Sequence, residues 1–263
     1  MDIPASLVKE LRDLTSAGMM DCKRALVETE GDLDAAVKLL RERGMAAAQK
    51  KAERGTTEGK VLVHVADARG TIVAIGCETE PVSGNDEFLA YARHVLDLVE
   101  AEGAGAAESL EQERVELVAR LGENIVVRGA ERLAAGDGEV VAAYVHPPAA
   151  KIGVLIQARA TPELARLVAM HVSFANPRYL TREEVAEDEV AAERAIYEML
   201  PDVAAKPEGI RPKIVEGMLA KRFFAELVLA EQPWIHDDSM TVGQALREHG
   251  AEVRRFVRYA LSG

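Results

Sequence analysis

Cysteine and aromatic residues are both scarce in this sequence. Its 263 residues contain only two cysteines, Cys22 and Cys77, which lie far apart and form no Cys-x-x-Cys pair. This usage favours free thiols in a reducing compartment, so we expect a cytoplasmic protein. Aromatic residues make up 4% of the chain, which is too few for the stacked side chains that hold single-stranded nucleic acid.

Net positive charge is also lacking, because the formal net charge is −12 at pH 7. A protein that binds the phosphate backbone needs a positive surface to release counterions, so a direct nucleic-acid partner is not expected. Residues 1–55 hold ten basic and ten acidic residues, and the whole acidic excess therefore lies in residues 56–263. This difference predicts that the first segment is a separate unit.

Long apolar runs are missing from the sequence. None approaches the ~20 residues of a membrane-spanning helix. The start, Met1-Asp2-Ile3-Pro4, lacks the charged and apolar regions of a secretion signal, so we expect no membrane association. Hydrophobic residues still make up 48% of the chain, which is enough to form packed cores.

The sequence shows no motif that carries catalytic chemistry. The stretch Gly55–Val61 is one residue short of a phosphate-binding P-loop, and its valine stands where that loop needs Ser or Thr for magnesium. The six histidines have no metal-ligand spacing. We therefore predict no cofactor, no metal and no enzymatic activity. The alternative is an enzyme that uses Glu78 and Glu80 as acid and base with a distant histidine.

Residues 1–45 are predicted to form a bundle of three short helices, followed by a linker over residues 46–58. Apolar residues such as Leu14 recur at helical spacing, glycines separate the segments, and Asp32 suits the start of the third helix. Gly44 is predicted to end that helix, and the Ala-rich basic extension after it is predicted to fray into the linker.

The rest of the chain is predicted to be α+β and to contain one unit twice, in residues 59–136 and 137–263. Each copy reads strand, strand, helix, helix, strand, and Thr71–Ala74 recurs as Lys151–Val154 at an offset of 80. We therefore expect two similar antiparallel sheets that stand side by side.

The second copy carries an insertion over about residues 181–233. It is rich in charged residues and helix formers, and apolar positions lie on both sides of a proline-containing turn. This pattern predicts two antiparallel helices that project as a coiled-coil arm. The alternative is two surface helices that pack on the sheet.

The first helical segments carry a family resemblance. The run Leu11–Leu26 resembles the opening of translation elongation factor Ts, whose signature is Thr-x-Ala-Gly-Met-Met-Asp-Cys-Lys. Further matching segments follow in family order along nearly the whole chain. They are Glu30-Gly31-Asp32, Leu39-Leu40-Arg41, Gly122-Glu123-Asn124-Ile125, Ala169-Met170-His171-Val172, Asn176-Pro177, Ile214-Val215-Glu216-Gly217 and Glu231-Gln232-Pro233.

This resemblance implies a fold and an activity. The fold is an N-terminal domain similar to the ubiquitin-associated three-helix fold, then two related antiparallel α+β subdomains, the second with a helical coiled-coil arm. The activity is to bind elongation factor Tu with its GDP and magnesium and to promote GDP release, so that GTP can bind. Such a factor needs no catalytic groups, because it stabilises a GTPase conformation in which the nucleotide contacts are spoiled. The alternative is a relative that holds elongation factor Tu with weak exchange activity.

The resemblance also assigns partner-binding positions. Arg12, Met19 and Met20 correspond to positions that face the nucleotide-binding domain of elongation factor Tu, and the alternative for at least one methionine is the bundle core. Leu121-Gly122 aligns with an Ile-Gly pair that approaches the same domain, with a plain helix end as the alternative. His171 matches a further contact position, with an incidental packed or solvated histidine as the alternative.

The sequence departs from the family at Thr79-Glu80-Pro81-Val82, where Thr-Asp-Phe-Val is usual. In the family the aromatic ring inserts beside the partner's magnesium site, and a proline can neither fill an aromatic slot nor donate an N–H. Three explanations stay open. The loop acts through shape alone, displacement on the phosphate side carries more of the exchange, or Phe88 substitutes for the missing ring.

Overall fold

The N-terminal segment is a bundle of three helices. The computed structural model describes residues 3–261, so Met1, Asp2, Ser262 and Gly263, which the predicted units include, lie outside the described residues. The helices are α1 (Ala5–Thr15), α2 (Met19–Glu28) and α3 (Leu33–Lys51). The Asp32 side chain starts α3, because it accepts the backbone N–H of Ala35 at 2.9 Å. The bundle core consists of Ile3, Val8, Leu11, Cys22, Ala25, Leu26 and Ala36.

A first α+β unit follows the bundle. Its elements are β1 (Glu58–Ala66), β2 (Arg69–Cys77), α4 (Glu80–Ser83), α5 (Asp86–Glu102), a 3₁₀ helix (Ala104–Leu110), α6 (Glu111–Leu121) and β3 (Val126–Ala134). The sheet is antiparallel with β2 in the middle. Helices α5 and α6 cover one of its faces, where Phe88 and Val95 pack with Val73 and Ile75.

Gly44 lies inside α3, so the prediction that it ends this helix is wrong. The helix continues to Lys51 and packs on α6. A Cβ at Gly44 would lie 3.5 Å from the Cβ of Ala119, and Gly44 is buried at this crossing. A Cβ at this distance would make an ordinary van der Waals contact, so the crossing would also admit alanine. Helix α3 therefore fixes the bundle to the first unit.

The second unit begins with the same elements. It starts with β4 (Val140–Val145), β5 (Ile152–Arg159) and α7 (Pro162–Ala175). The insertion then contributes α8 (Glu187–Glu198), α9 (Pro201–Ala204), α10 (Arg211–Met218), a π-helical stretch (Leu219–Phe224) and α11 (Ala225–Leu227). Helices α8 and α10 pack on each other, and their buried residues Tyr197 and Val215 form a separate cluster with Leu219 of the π-helical stretch. This arrangement fits the predicted arm and not the alternative of helices packed on the sheet.

The chain then completes the second sheet. A short hairpin, β6 (Pro233–Trp234) and β7 (Asp237–Thr241), leads to α12 (Val242–Glu248) and β8 (Glu252–Ala260). The sheet is antiparallel with β5 in the middle. Both units therefore have the same order of strands and helices, and the predicted α+β fold with two related subdomains is confirmed. No helix within residues 3–261 is both long and apolar enough to cross a bilayer.

The two sheets pack face to face, so the prediction that they stand side by side is wrong. Val61 and Ile72 of the first sheet meet Val141 and Leu155 of the second in a shared apolar layer. Alternating side chains of a strand face opposite sides, so each sheet buries one face on its helices and the other on its partner sheet. The result is four layers in the order helices, sheet, sheet, helices.

The contact between the sheets is reciprocal. A Cβ on Gly70 would lie 2.5 Å from Cγ1 of Val141, and a Cβ on Gly153 would lie 2.4 Å from Cγ1 of Val61. A bulge interrupts β2 at Ala74/Ile75 and β5 at Gln157/Ala158, which makes Gly70 and Gly153 equivalent positions. The offset that relates β2 to β5 is therefore three positions larger than the offset of 80 predicted from the sequence, because the β4–β5 connection is longer than the β1–β2 connection.

Candidate functional site

The bundle presents Arg12, Met19 and Met20 on its surface. Met19 is 46% exposed and Met20 is 62% exposed, so neither belongs to the bundle core and that alternative is wrong for both. The core side of α2 is formed instead by Cys22, Ala25 and Leu26. We call Arg12, Met19 and Met20 the bundle patch.

Leu14 is also exposed, although the helical spacing predicted it as a core residue. It is 63% exposed, near the end of α1. Ser16 follows in the left-handed region with φ of 54°, and the chain then turns into α2. A shallow cavity of about 550 Å³ adjoins Met20 and is lined in part by Val27. The exposure of Leu14 has no signal in the sequence, because apolar residues at helical spacing look the same whether the last turn of a helix packs on the core or extends beyond it.

The loop after β2 carries Thr79, Glu80, Pro81 and Val82. Thr79 precedes the short helix α4, and Pro81 occupies its second position. A backbone N–H at that position has no partner within a helix, so the proline costs no hydrogen bond there. Thr79, Glu80 and Pro81 are exposed, whereas Val82 is half-buried against the core of α5 and α6.

Phe88 does not replace the aromatic ring that position 81 lacks. It has no exposed surface and belongs to the core under α5. Helix α5 begins at Asp86, where the Asn85 side chain accepts the N–H of Glu87 at 2.8 Å, and this start fixes Phe88 on the inner face. The explanation that Phe88 substitutes for the ring is therefore wrong.

Leu121 and Gly122 lie beside this loop. Gly122 ends α6 in the left-handed region with φ of 79°, and its N–H reaches the carbonyl of Val118 at 3.0 Å. Among the described residues, no atom lies within 4 Å of a Cβ placed on Gly122, so its conformation alone requires glycine. The turn brings Glu123 next to Thr79, whose N–H it accepts at 3.0 Å. We call Thr79–Val82 together with Leu121-Gly122 the junction.

The bundle patch and the junction are separate surfaces. Helix α3 leaves the bundle core at Ala36 and ends at Lys51, whose Nζ lies 3.5 Å from the Val118 carbonyl in the last turns of α6. At 1.5 Å per residue this path spans roughly 20 Å. The structure therefore places all the predicted site residues except His171 in two groups, and α3 connects the bundle that carries the first group to the helix α6 that carries part of the second.

His171 lies in the core, so in this structure its side chain offers no exposed surface for the predicted partner contact. It has no exposed surface, and its ring stacks on Trp234 with centroids 5.2 Å apart. Gln232 donates to the carbonyls of Ala175 and Glu226, which leaves its side-chain oxygen to accept from Nε2 of His171 at 2.9 Å. Nδ1 then accepts the N–H of Ile235 at 3.4 Å. His171 holds the 232–235 segment on α7.

The neutral imidazole suits this environment. Burial lowers the pKa of His171, and the hydrogen bond to Gln232 opposes that effect only in part. A protonated ring would direct a second N–H at the N–H of Ile235 and would lose that bond. The histidine is therefore a structural group whose protonation destabilises the fold.

Glu78, one of the two carboxylates considered for catalysis, and the nearby Cys77 both have structural surroundings. Glu78 accepts the N–H of Asn124 at 2.7 Å and lies 3.5 Å from Arg54, so its carboxylate serves the fold. Burial raises the pKa of the Cys77 thiol to about 12, which leaves it protonated and unreactive. Within residues 3–261, no three His, Cys, Asp or Glu side chains lie close enough to hold a metal ion.

These features define an α+β protein with an N-terminal helical bundle and two related subdomains. Its candidate site consists of exposed side chains and turns, as is typical of a protein that acts by contact with another macromolecule. The sequence model described as Elongation factor TS matches residues 78–263. Elongation factor Ts of Idiomarina loihiensis is 42% identical, with 98% of this chain and 91% of that relative covered. Elongation factor Ts of Pasteurella multocida is 41% identical at the same coverage, and that of Methylococcus capsulatus is 39% identical. The chain belongs to the elongation factor Ts family.

Proposed function

We propose that this chain is a guanine nucleotide exchange factor of translation elongation, which works in the cytoplasm. It binds elongation factor Tu carrying GDP and magnesium and promotes GDP release, so that GTP can bind. It is not itself an enzyme, because this process makes and breaks no covalent bond. Family membership over 98% of the chain is the observation that carries the proposal. A net charge of −12 further favours a protein partner over nucleic acid.

The bundle patch supplies affinity in this proposal. Met19 and Met20 are exposed thioether side chains that fit an uneven apolar surface, and Arg12 adds an exposed charge on the same bundle. Burying such side chains removes apolar surface from water and stabilises the complex by about 1.5–3 kcal/mol for each methionine that is fully covered. This surface holds the nucleotide-binding domain of elongation factor Tu.

The junction supplies the distortion that releases GDP. It presents an exposed proline and a glycine turn, and hydrogen bonds within and between its two segments fix its backbone. A rigid protrusion pressed against the magnesium and phosphate side of the nucleotide pocket favours a partner conformation in which the nucleotide contacts are broken. With Phe88 buried and Pro81 exposed, this loop acts through its shape.

Binding energy drives the exchange cycle. If the complex weakens GDP binding by a factor of ~10⁴, equivalent to ~5.5 kcal/mol, then GDP weakens the complex by the same factor. GTP displaces the factor by the same linkage, which completes the cycle. An interface spread over two surfaces can provide this much coupling.

Release of a fluorescent GDP analogue from elongation factor Tu of the same organism tests the proposal. In a stopped-flow experiment with excess unlabelled GDP, the chain should accelerate release in a saturable manner. Binding without acceleration would favour the alternative of a holder of elongation factor Tu. Absence of any complex would exclude both functions.

A further inference from the structure

Glu123 accepts three hydrogen bonds from the start of the junction loop. Its Oε2 accepts the backbone N–H of Glu78 at 3.1 Å and that of Thr79 at 3.0 Å. Its Oε1 accepts the Thr79 hydroxyl at 2.5 Å. One carboxylate therefore holds two successive peptide groups and the side chain immediately before α4. Bonds to an ionised acceptor are stronger than neutral ones, so this is a firm attachment.

Asn124 adds a second link between the turn after α6 and the loop after β2, and it also links both to the end of α3. Its backbone N–H reaches the Glu78 carboxylate at 2.7 Å. Its side-chain Nδ2 donates to the carbonyls of Arg54 at 2.9 Å and Ala52 at 3.3 Å. Only 1% of Asn124 is exposed, so these bonds form away from competing water. Three chain segments thus meet here: the end of α3, the loop after β2 and the turn after α6.

We propose that Glu123 and Asn124 are positioning residues for nucleotide exchange, a role that rests on the proposed function. They hold Thr79–Val82 and Leu121-Gly122 in one fixed geometry, and Asn124 ties both to the residues that follow α3, the helix that packs on the two helices of the bundle patch. Neither side chain needs to touch the partner. They act by keeping Thr79–Val82 at a constant distance from Leu121-Gly122. They also keep the junction at a constant distance from the bundle.

The physical consequence is a split between rate and affinity. A loop that is already ordered pays no further conformational entropy when it presses on the partner, whereas a loosened loop must be ordered in the state that releases GDP. Loss of the attachment therefore slows release at saturating factor. Half-saturation changes little, because the bundle patch supplies most of the affinity.

The main test compares Glu123→Ala with Glu116→Ala. Glu116 is an exposed glutamate on α6 that pairs only with Gln112 among the described residues, so its variant matches the change in charge outside this network. Glu123→Ala should lower the maximal rate of GDP release by about tenfold and change the half-saturating concentration less than about threefold. Glu116→Ala should behave like the wild type. Equal maximal rates for both variants would overturn the inference.

A readout without the partner separates this inference from the proposed function. Amide hydrogen exchange of the free protein should be about tenfold faster at Glu78 and Thr79 in Glu123→Ala, because their acceptor is gone. Unchanged amide exchange there would overturn the inference even if the wild type accelerates GDP release from elongation factor Tu. Faster amide exchange, together with a wild-type protein that does not accelerate GDP release, would instead overturn the proposed function.

A second pair of variants covers the case in which Glu123→Ala does not fold. Thr79 is exposed, so Thr79→Val removes only the hydroxyl bond to Glu123, and Thr79→Ser retains it. The valine variant should lower the maximal release rate by about threefold, and the serine variant should restore it. Equal rates for Val and Ser at this position would overturn the inference.

Discussion

The bundle patch and the junction differ in how their shapes are determined. The bundle patch consists of long, exposed side chains on helix surfaces, and Met20 is free over 62% of its area. The junction consists mostly of backbone, with Pro81 in a helix start, Gly122 in the left-handed region and Glu123 holding the loop. In the proposed function this difference separates two tasks: the adaptable surface contributes affinity, and the fixed one determines the rate of GDP release.

Removal of the methionines should give the largest effect. The double variant Met19→Ala/Met20→Ala should weaken binding to elongation factor Tu by about 100-fold, because two large apolar side chains no longer fill the interface. The maximal release rate should change little. Titration of the release rate against factor concentration measures both quantities. Met199→Ala removes a 74% exposed methionine on the arm and serves as the control. A lower maximal rate with unchanged half-saturation would mean that the bundle patch determines the rate of release and not the affinity.

Gly122→Ala tests the backbone of the junction. An alanine in the left-handed region costs about 1–2 kcal/mol, so the free energy of unfolding should fall by that amount. Gly217 in α10 is the matched control, because its φ is ordinary and, among the described residues, no atom lies within 4 Å of its Cβ position. Gly217→Ala should stabilise the fold by up to about 1 kcal/mol. Urea unfolding measures both variants, and equal effects would show that the Gly122 conformation is not constrained.

His171 offers a test outside both surfaces. Its pKa is lowered in the folded protein, so the unfolded state binds more protons below the ordinary value of about 6.5. The stabilisation is complete above that pH and is lost as the pH falls towards the lowered pKa, with a slope of at most about 1.4 kcal/mol per pH unit. Urea unfolding of the wild type and His171→Gln between pH 7.5 and 5.5 isolates this contribution. Identical slopes would contradict the buried neutral imidazole.

Replacement of Glu80-Pro81 by Asp-Phe should give the smallest effect. It tests whether a side chain in the junction loop can change the release rate without changing affinity. The pair restores the aromatic ring usual in the family, and it should raise the maximal GDP release rate by about threefold while leaving half-saturation almost unchanged. Glu80→Asp alone separates the length of the carboxylate from the ring. An unchanged rate in the double variant would mean that the shape of the present loop already suffices.

Sequence patterns predicted the repeated unit well because each strand and helix has a local signal. Apolar alternation located β1 and β2, and helical spacing located α5 and α6. The packing of the two sheets was not predictable, because Gly70 and Gly153 look like ordinary turn or strand glycines until Val141 and Val61 are seen opposite them. The insertion was predicted as an arm from the same local spacing.

The candidate site was predictable only in part. Leu14 and Gly44 show why: helical spacing predicted a core position for the first, and glycine predicted a helix end at the second, but the exposure of Leu14 and the burial of Gly44 depend on where neighbouring helices end or cross. Family resemblance located His171, but only the structure shows that Trp234 and Gln232 enclose it. Glu123 gave no signal beyond its motif, since its role comes from a loop more than 40 residues away in sequence.

In the proposed function, this chain and GDP oppose each other in binding to elongation factor Tu. Equilibrium titration of the chain with elongation factor Tu, once free of nucleotide and once saturated with GDP and magnesium, measures this opposition. GDP should weaken the complex by about 10⁴-fold. Equal dissociation constants in the two titrations would show that the two binding events are independent.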